Sequence, residues 1–464
     1  MKIEQIYTGC LAQGAYYIVS DGEAAIVDPL RESGPYLNRL KRDGVKLKYI
    51  FETHFHADFV SGHVDLARET GASIVYGPAA DPQFDCIRAT DGQQFSIGKL
   101  CVVVLHTPGH TLESTTYLLR DENGKDYCIF SGDTLFLGDV GRPDLAQKSA
   151  HMTQEELAGM LYDSLMTKIM PLADDVIVYP AHGAGSACGK NMSKETEDTL
   201  GNQKKTNYAL NQPDKAAFIK AVTDGLLPPP ADFGYNVAMN KAGYQPFESV
   251  LHNGMQALEP DTFEYMSSDP NILVLDTRSP GVFCKGHVPG SVNIGLEGDF
   301  APWVGALLTD VRQPILLVTD PGREEESVTR LSRVGFDQVL GHLKGGIASW
   351  ISAGKMIGTV NRISAGEFAG QLGSDSSLVI DVRRESEYAK GHVSDARSLP
   401  LSDINNWMSQ IDPDQHFFLH CAGGYRSMIA ASILQSRGIR NFSEVEGGYN
   451  AIMQAGVPTT DLIA

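Results

Sequence analysis

At 464 residues the chain is long for one ordinary domain and suggests about three. Lys and Arg number 38 against 57 Asp and Glu, a net charge of −19 that argues against nucleic acid, whose affinity comes from basic groups meeting phosphates; a local cationic pocket can still hold a small anion. With 42% hydrophobic and 20% charged residues the chain can build packed cores, and no uncharged apolar stretch reaches the roughly 18 residues that span a membrane.

The opening Met1-Lys2-Ile3-Glu4-Gln5 lacks the apolar run of a secretion signal. Tyr16-Val19 and Ala24-Val27 read as strands joined by a hairpin turn at Asp21-Gly22. Tyr49-Phe51, Ser73-Tyr76, Leu100-Leu105, Asp126-Phe130 and Val176-Tyr179 read as further buried strands. Val64-Thr70, stopped by Gly71, and Glu155-Ile169 have helical spacing of apolar residues. The run Pro228-Pro229-Pro230 breaks regular structure, and the polar stretch Asn240-Pro246 is an expected exit from the first domain. Seven scattered cysteines, odd in number, imply no disulfide framework and fit a reducing cytoplasm.

Beyond that exit the chain repeats itself. Asp276-Thr-Arg278 and Lys285-Gly-His-Val288 return 105 residues later as Asp381-Val-Arg383 and Lys390-Gly-His-Val393. Gly345-Gly346 with Ala353-Gly354 returns 102 residues later as Gly447-Gly448 with Ala455-Gly456. Each copy starts with a buried strand, Ile272-Leu275 or Leu378-Ile380. Duplication of a small α/β domain is the reading. Expected boundaries are 1–250, 255–357 and 358–464.

Metal-competent side chains collect at strand ends in the first region. Thr53-His54-Phe55-His56-Ala57-Asp58 follows one strand, and His110, Asp133 and His182 follow others, each beside Gly or Pro. One sheet edge would gather all six. His63, His106 and His151 lack this context and read as structural or solvated. The pattern resembles the metallo-β-lactamase fold, an αββα sandwich, with Asp28 matching the superfamily's first acidic motif, which shapes the metal loop.

Most dinuclear members of that superfamily carry His directly after the Asp of His-x-His-x-Asp; here Phe59 stands there. The resemblance to persulfide dioxygenases of the superfamily implies one Fe(II), held by His54, His110 and Asp133, the facial two-His, one-carboxylate set. It makes His56, Asp58 and His182 groups that orient ligands and metal-bound water. His and Asp accept zinc equally well. Arg142, in Gly138-Asp-Val-Gly141-Arg142, matches an arginine near the thiol-carrier pocket. After His182 the chain reads Gly183-Ala-Gly-Ser-Ala-Cys188-Gly189, without the Tyr that contacts glutathione in animal members, so coenzyme A or another small thiol stays open. Cys188 is either inert or a sulfur-handling group.

In the last copy an apolar strand ends in His420-Cys421, followed by Ala422-Gly423-Gly424-Tyr425-Arg426-Ser427 and a helix over Met428-Leu434. Backbone N–H groups and a helix N-terminus favour thiolate there, and Arg426 adds positive charge. The motif resembles the rhodanese active loop, with Cys421 and Arg426 catalytic and Ala422, Gly423, Gly424 and Tyr425 cradling the sulfur. The first copy reads Thr319-Asp320-Pro-Gly-Arg323-Glu324-Glu325-Glu326, with Asp320 expected in the cysteine position; Cys284 is elsewhere and structural. It reads as a non-catalytic spacer that packs the active modules together.

The whole order resembles CstB-type persulfide dioxygenase–rhodanese fusions. That implies oxidation of a low-molecular-weight thiol persulfide by O2 to sulfite, and transfer of a second sulfane sulfur through Cys421 to sulfite as thiosulfate, in sulfide detoxification. A cytoplasmic homo-oligomer without nucleic-acid or membrane partners is expected. The alternatives are a zinc thioester hydrolase like glyoxalase II with a rhodanese carrier, and a non-enzymatic persulfide binder or sensor.

Overall fold

The computed structural model describes residues 1–147, 151–226, 229–230, 232–372 and 378–460; Pro228 of the proline run lies outside them. The chain forms two compact units, Met1–Phe247 with Ser332–Gly335, and Glu248–Leu331 with Phe336–Ala464.

In the first unit, β1 (Lys2–Thr8), β2 (Gln13–Ser20), β3 (Glu23–Val27), β4 (Lys46–Phe51), β5 (Ser73–Tyr76) and β6 (Ile87–Arg88) make one sheet in chain order. A second sheet, again in chain order, holds β7 (Gln94–Ile97), β8 (Leu100–His106), β9 (Thr115–Arg120), β10 (Asp126–Gly132), β11 (Ile177–Pro180) and β12 (Asp198–Thr199). Because strand side chains alternate, each strand feeds two cores. Tyr16, Ile18, Ala25, Val27 and Phe51 meet Val102, Val104, Tyr117, Leu119 and Phe130 between the sheets. Ala15, Tyr17, Ala24 and Ile26 face Tyr36 and Leu40 of helix Gly34–Asp43 and Leu66 of helix His63–Thr70. Val103, Leu118 and Ile129 face helices Gln154–Ser164 and Lys215–Thr223 on the far side. The result is the expected αββα sandwich.

Local signals act as their chemistry requires. Asp21 and Gly22, both at positive φ (48° and 81°), make the two-residue turn that pairs Ser20 with Glu23. Gly71 ends its helix in the left-handed conformation. A Thr153–Glu156 capping box starts the next helix, which runs to Ser164 and continues as a π-turn over Leu165–Ile169. The polar stretch read as an exit is divided: Asn240 is fully buried in helix Phe233–Ala242, and the unit ends at Phe247.

The second unit contains two parallel five-stranded sheets. The first has the order β13 (Ala257–Leu258), β17 (Val339–Leu343), β16 (Ile315–Val318), β14 (Leu273–Asp276), β15 (Val292–Asn293). The second repeats it as β18 (Arg362–Ile363), β23 (Phe442–Val445), β22 (Phe417–His420), β19 (Leu378–Asp381), β21 (Arg397–Ser398). The repeated Asp-x-Arg motif is architectural. Arg278 Nε donates to Asp276 at 2.9 Å and Nη2 to the Gly286 carbonyl at 3.0 Å; Arg383 does the same with Asp381 and Gly391 at 3.0 and 2.7 Å. The histidine of Lys-Gly-His stacks on the preceding aromatic in both copies, His287 on Phe283 at 4.0 Å and His392 on Tyr388 at 3.7 Å. Among the described residues no helix is long and apolar enough to cross a membrane.

Candidate functional site

Asp28, just past β3, shapes the loop after β4: its carboxylate accepts from Thr53 N at 2.8 Å and Thr53 Oγ1 at 2.9 Å. Since the Thr53 hydroxyl gives its one proton to Asp28, its oxygen accepts from His54 Nδ1 at 3.0 Å. His54 Nε2 is left with a free lone pair. The Arg142 carbonyl can only accept, so His110 donates to it from Nδ1 at 2.8 Å, and His110 Nε2 is free in the same way. Asp133, at the end of β10, brings Oδ2 to 3.5 Å from His110 Nε2 and 3.8 Å from His54 Nε2. All three side chains are buried, and among the described residues that oxygen has no hydrogen-bond partner.

A buried carboxylate oxygen without a partner is costly unless a cation meets it. Burial, reinforced by His56, holds His54 well below the ordinary histidine range, so it is a neutral donor. Burial opposes ionisation of Asp133, but His182, His54 and His110 outweigh it and hold the carboxyl well below the usual carboxylate range. Two imidazole nitrogens and one carboxylate converging within 4.8 Å fit a single divalent metal ion.

His56, Asp58 and His182 bring one donor atom each within 4.8 Å of one another, beside the first set. His182 bridges two carboxylates, Nδ1 to Asp133 at 2.8 Å and Nε2 to Asp58 at 2.8 Å. Burial works against protonation of His182, yet Asp133 and Asp58 hold it well above its ordinary value. Phe59 is fully buried with its ring stacked on His56, centroids 4.3 Å apart. An apolar ring therefore fills the position after Asp58.

Two expected substrate contacts have partners within the protein. Arg142 is only 6% exposed; it grips Asp144 through Nε and Nη2, both at 2.7 Å, and the Ala187 carbonyl through Nη1 at 3.1 Å. Its guanidinium is committed to the loop rather than to solvent. Cys188 lies within the same distance of Asp133 and His182 and is buried, and burial pushes its thiol well up, so it keeps its proton. Gly141 has a steric reason: a Cβ there would stand 2.0 Å from the Asp133 carbonyl oxygen and 2.9 Å from His110 Nδ1.

Sequence reasoning missed the clamp on the metal loop. Asn240 Nδ2 donates to the His56 and Phe59 carbonyls, and its Oδ1 accepts from Ser61 N, all at 2.8 Å. One turn earlier, Asn236 donates to the Ala57 carbonyl at 2.9 Å. Glu52, buried against Ser61 and 3.1 Å from His63, was missed as well. None of these has a local sequence signal.

Cys421 is buried directly after β22, its Sγ accepting from Gly424 N at 3.1 Å with Ser427 Oγ at 3.4 Å. Helix Tyr425–Ser436 starts at this point, with its positive end toward the sulfur. Gly424 is at φ 99°, and a Cβ there would come within 2.8 Å of Arg362 Nη2. Ala422 and Gly423 complete the loop, and the Ala422 carbonyl accepts from Asn450 N at 3.1 Å. Arg426 does not donate its charge to sulfur alone: it is bidentate on Glu387 at 2.6 and 2.8 Å. The Tyr425 hydroxyl donates to the Gly295 carbonyl at 2.7 Å. A cavity of ≈ 400 Å³ opens at Cys421, Gly423 and Arg426, and the first copy supplies Asp299 and Trp303 to its wall. That copy is more than a spacer.

The register corrects one alignment. Asp381 pairs with His420 and Asp276 with Val318, so the residue matching Cys421 is Thr319, not Asp320. The sulfur is absent either way.

Comparison with known proteins agrees with this division. The family model of the metallo-beta-lactamase superfamily matches residues 8–182, and that of the rhodanese-like domain matches 259–353 and 364–455. Over 170 residues the chain is 35% identical to hydroxyacylglutathione hydrolase of Tolumonas auensis, covering 36% of this chain and 60% of that one. Over 172 residues it is 31% identical to the mitochondrial persulfide dioxygenase ETHE1 of Homo sapiens, covering 36% and 62%. The chain thus spans less than two thirds of either relative. Over 241 residues it is 30% identical to hydroxyacylglutathione hydrolase of Bradyrhizobium sp. strain BTAi1, covering 46% and 88%. The crystal structure of a metallo-beta-lactamase from Staphylococcus aureus subsp. aureus COL superposes with a TM-score of 0.64 at 29% identity, covering 74% of this chain and 99% of that one.

Proposed function

We propose, because this chain belongs to the metallo-beta-lactamase superfamily and carries two rhodanese-like domains behind that fold, that it is a cytoplasmic Fe(II) persulfide dioxygenase coupled to a sulfurtransferase. The observation that carries the reading is the set His54, His110 and Asp133, three buried donors aimed at one point, next to a Phe59 ring where a second metal's ligand would stand. When bound, Fe(II) supplies open coordination positions for a persulfide and O2 and the redox capacity to join them. The overall reaction consumes persulfide, O2 and water and yields sulfite, the parent thiol and two protons.

The chain's own groups do the rest. Thr53 and the Arg142 carbonyl fix both imidazoles in the tautomer that presents Nε2. His182, between Asp133 and Asp58, is suited to hold and return a proton at Nε2 beside the donor set that would hold the metal. Phe59 and Phe136, fully buried, keep water from that side. At Cys421 the thiolate attacks the outer sulfur of a second persulfide, the S–S bond breaks and the parent thiol leaves. Sulfite then takes that sulfur as thiosulfate and Cys421 is regenerated. Gly424 N stabilises the sulfur anion in each state.

A second reading, a thioester hydrolase, is favoured by the 35% identity to a hydroxyacylglutathione hydrolase and by the neighbouring donor set of His56, Asp58 and His182. Anaerobic purification with metal quantitation separates the two. The dioxygenase reading expects about one iron per chain and O2 uptake on glutathione or coenzyme A persulfide; two zinc ions with hydrolysis of S-lactoylglutathione would overturn it.

A further inference from the structure

Beneath the Cys421 loop lies a buried carboxyl group that the sulfur chemistry above does not use. Glu444, on β23, is fully buried; its Oε1 is 2.6 Å from Ser427 Oγ, which is itself 3.4 Å from Cys421 Sγ. Its other oxygen accepts from Arg362 Nε at 2.7 Å. The Ser427 hydroxyl has one proton and two claimants. If Glu444 is ionised, Ser427 donates to it and offers Cys421 only a lone pair, which suits a thiol. If Glu444 is protonated, it donates to Ser427, and Ser427 donates to sulfur, which suits a thiolate.

We propose that Glu444 takes up the Cys421 proton through Ser427, so that formation of the sulfur anion is an internal proton transfer rather than a release to water. As the S–H bond breaks, its proton passes to Ser427 Oγ while the Ser427 proton passes to Glu444 Oε1. The trio carries one negative charge before and after, always opposite Arg362, so no buried charge is created. Glu444 touches sulfur only through Ser427 and is a positioning residue in that sense.

The surroundings permit both states. Burial pushes the Glu444 carboxyl up to about 7 against the pull of Arg362 and Ser427, and Glu446, 3.6 Å from Arg362 Nη1, adds to the rise. Around the sulfur, Arg426 is neutralised by Glu387, Arg384 and Asp299 line the cavity, and Asp381 with Arg383 and His420 lies below the strand end. No cation among these contacts the sulfur directly, so the backbone of Gly424 and the hydroxyl of Ser427 are its donors among the described residues. The matching position on β17 of the silent copy, by the 102-residue offset of the Gly-Gly pairs, is His342. The acid accompanies the working cysteine.

This rests on reading Cys421 as a sulfur carrier, and it is tested without assuming which substrate supplies the sulfur. In the full chain, alkylation of Cys421 by iodoacetamide is followed by peptide mass spectrometry from pH 5.5 to 10 for the parent, Glu444→Gln and Ser427→Ala. Both variants should react about tenfold more slowly at pH 7 and reach the parent rate near pH 10, where solvent hydroxide replaces the internal acceptor. Equal rates at pH 7, or an equal slowing at every pH, would overturn the assignment. Should Glu444→Gln fail to fold, Ser427→Ala decides alone, because it keeps the Glu444–Arg362 pair. A parent protein that shows the profile but transfers no sulfur from persulfide would refute the proposed function and leave this inference standing.

Discussion

Replacing Asn240 by alanine tests whether the metal loop is held from a helix about 180 residues further along the chain. The side chain makes three buried hydrogen bonds, each 2.8 Å, to the His56 carbonyl, the Phe59 carbonyl and the Ser61 N–H. A buried partner left unsatisfied costs about 1–3 kcal/mol, so stranding three of them should cost at least about 3 kcal/mol. The three backbone groups flank His56, Asp58 and Phe59, so the same change should loosen the loop and weaken metal binding, each 1.4 kcal/mol costing a factor of about ten. Urea unfolding followed by circular dichroism reads the first effect, and metal retention against a graded chelator reads the second. Asn240→Asp sharpens the test: it keeps the acceptor for Ser61 N but aims a carboxylate at two carbonyls, and should be at least as damaging. A midpoint and chelator profile unchanged in Asn240→Ala would mean that water replaces the amide and that the loop holds itself.

Three further outcomes are expected. Cys421→Ser should leave O2 consumption intact while sulfite accumulates in place of thiosulfate, measured by ion chromatography; an unchanged thiosulfate yield would contradict the sulfur-carrier role. Asp133→Ala should lose metal by more than the roughly 10–100-fold typical of outer partners, yet keep sulfur transfer from thiosulfate to cyanide; metal retained at parental affinity would remove Asp133 from the ligand set. Arg426, working against partial burial and aided by the Arg384 backbone and Arg383, holds Glu387 down to about 2, so this stabilisation is present above the unfolded carboxylate range near pH 4.3 and fades as pH falls toward 2. Urea midpoints of Glu387→Gln should therefore lie below the parent's by a constant amount above pH 5 and converge with them toward pH 2.

Features built from neighbouring residues were legible in the sequence. Short apolar runs gave strands in both sheets of the sandwich, and Asp21-Gly22 gave its turn because two positive φ angles need such residues. Strand-end histidines and aspartates met because strand ends share an edge, so six of them could be grouped in advance; singling out His54, His110 and Asp133 came from the family resemblance. Long-range contacts were not legible. Asn240 looked like linker because a buried amide and an exposed one have the same letter. Arg142 looked available because Asp144 and the Ala187 carbonyl, which bind it, are recognisable only after folding. The cysteine position of the silent copy was misjudged by one residue because letters were aligned where strand register decides.

The silent copy keeps what folding needs and has lost what sulfur chemistry needs. Asp276–Arg278, the Gly286 carbonyl and the stacked His287 are all present, while Thr319 stands where sulfur would be. If it were an idle spacer, its surface near the active loop would tolerate any side chain. Gly298 argues otherwise: a Cβ there would stand 2.6 Å from Cζ of Tyr425, whose hydroxyl is held by the Gly295 carbonyl. Tyr425 directly follows Gly424, whose N–H meets the sulfur, so the silent copy grips the active loop one residue from its key donor. It also lines the cavity at Cys421 with Asp299 and Trp303, an acid and an indole. Loss of the nucleophile therefore left a domain whose remaining task is geometric. It holds the loop through Tyr425 and lines the cavity beside it.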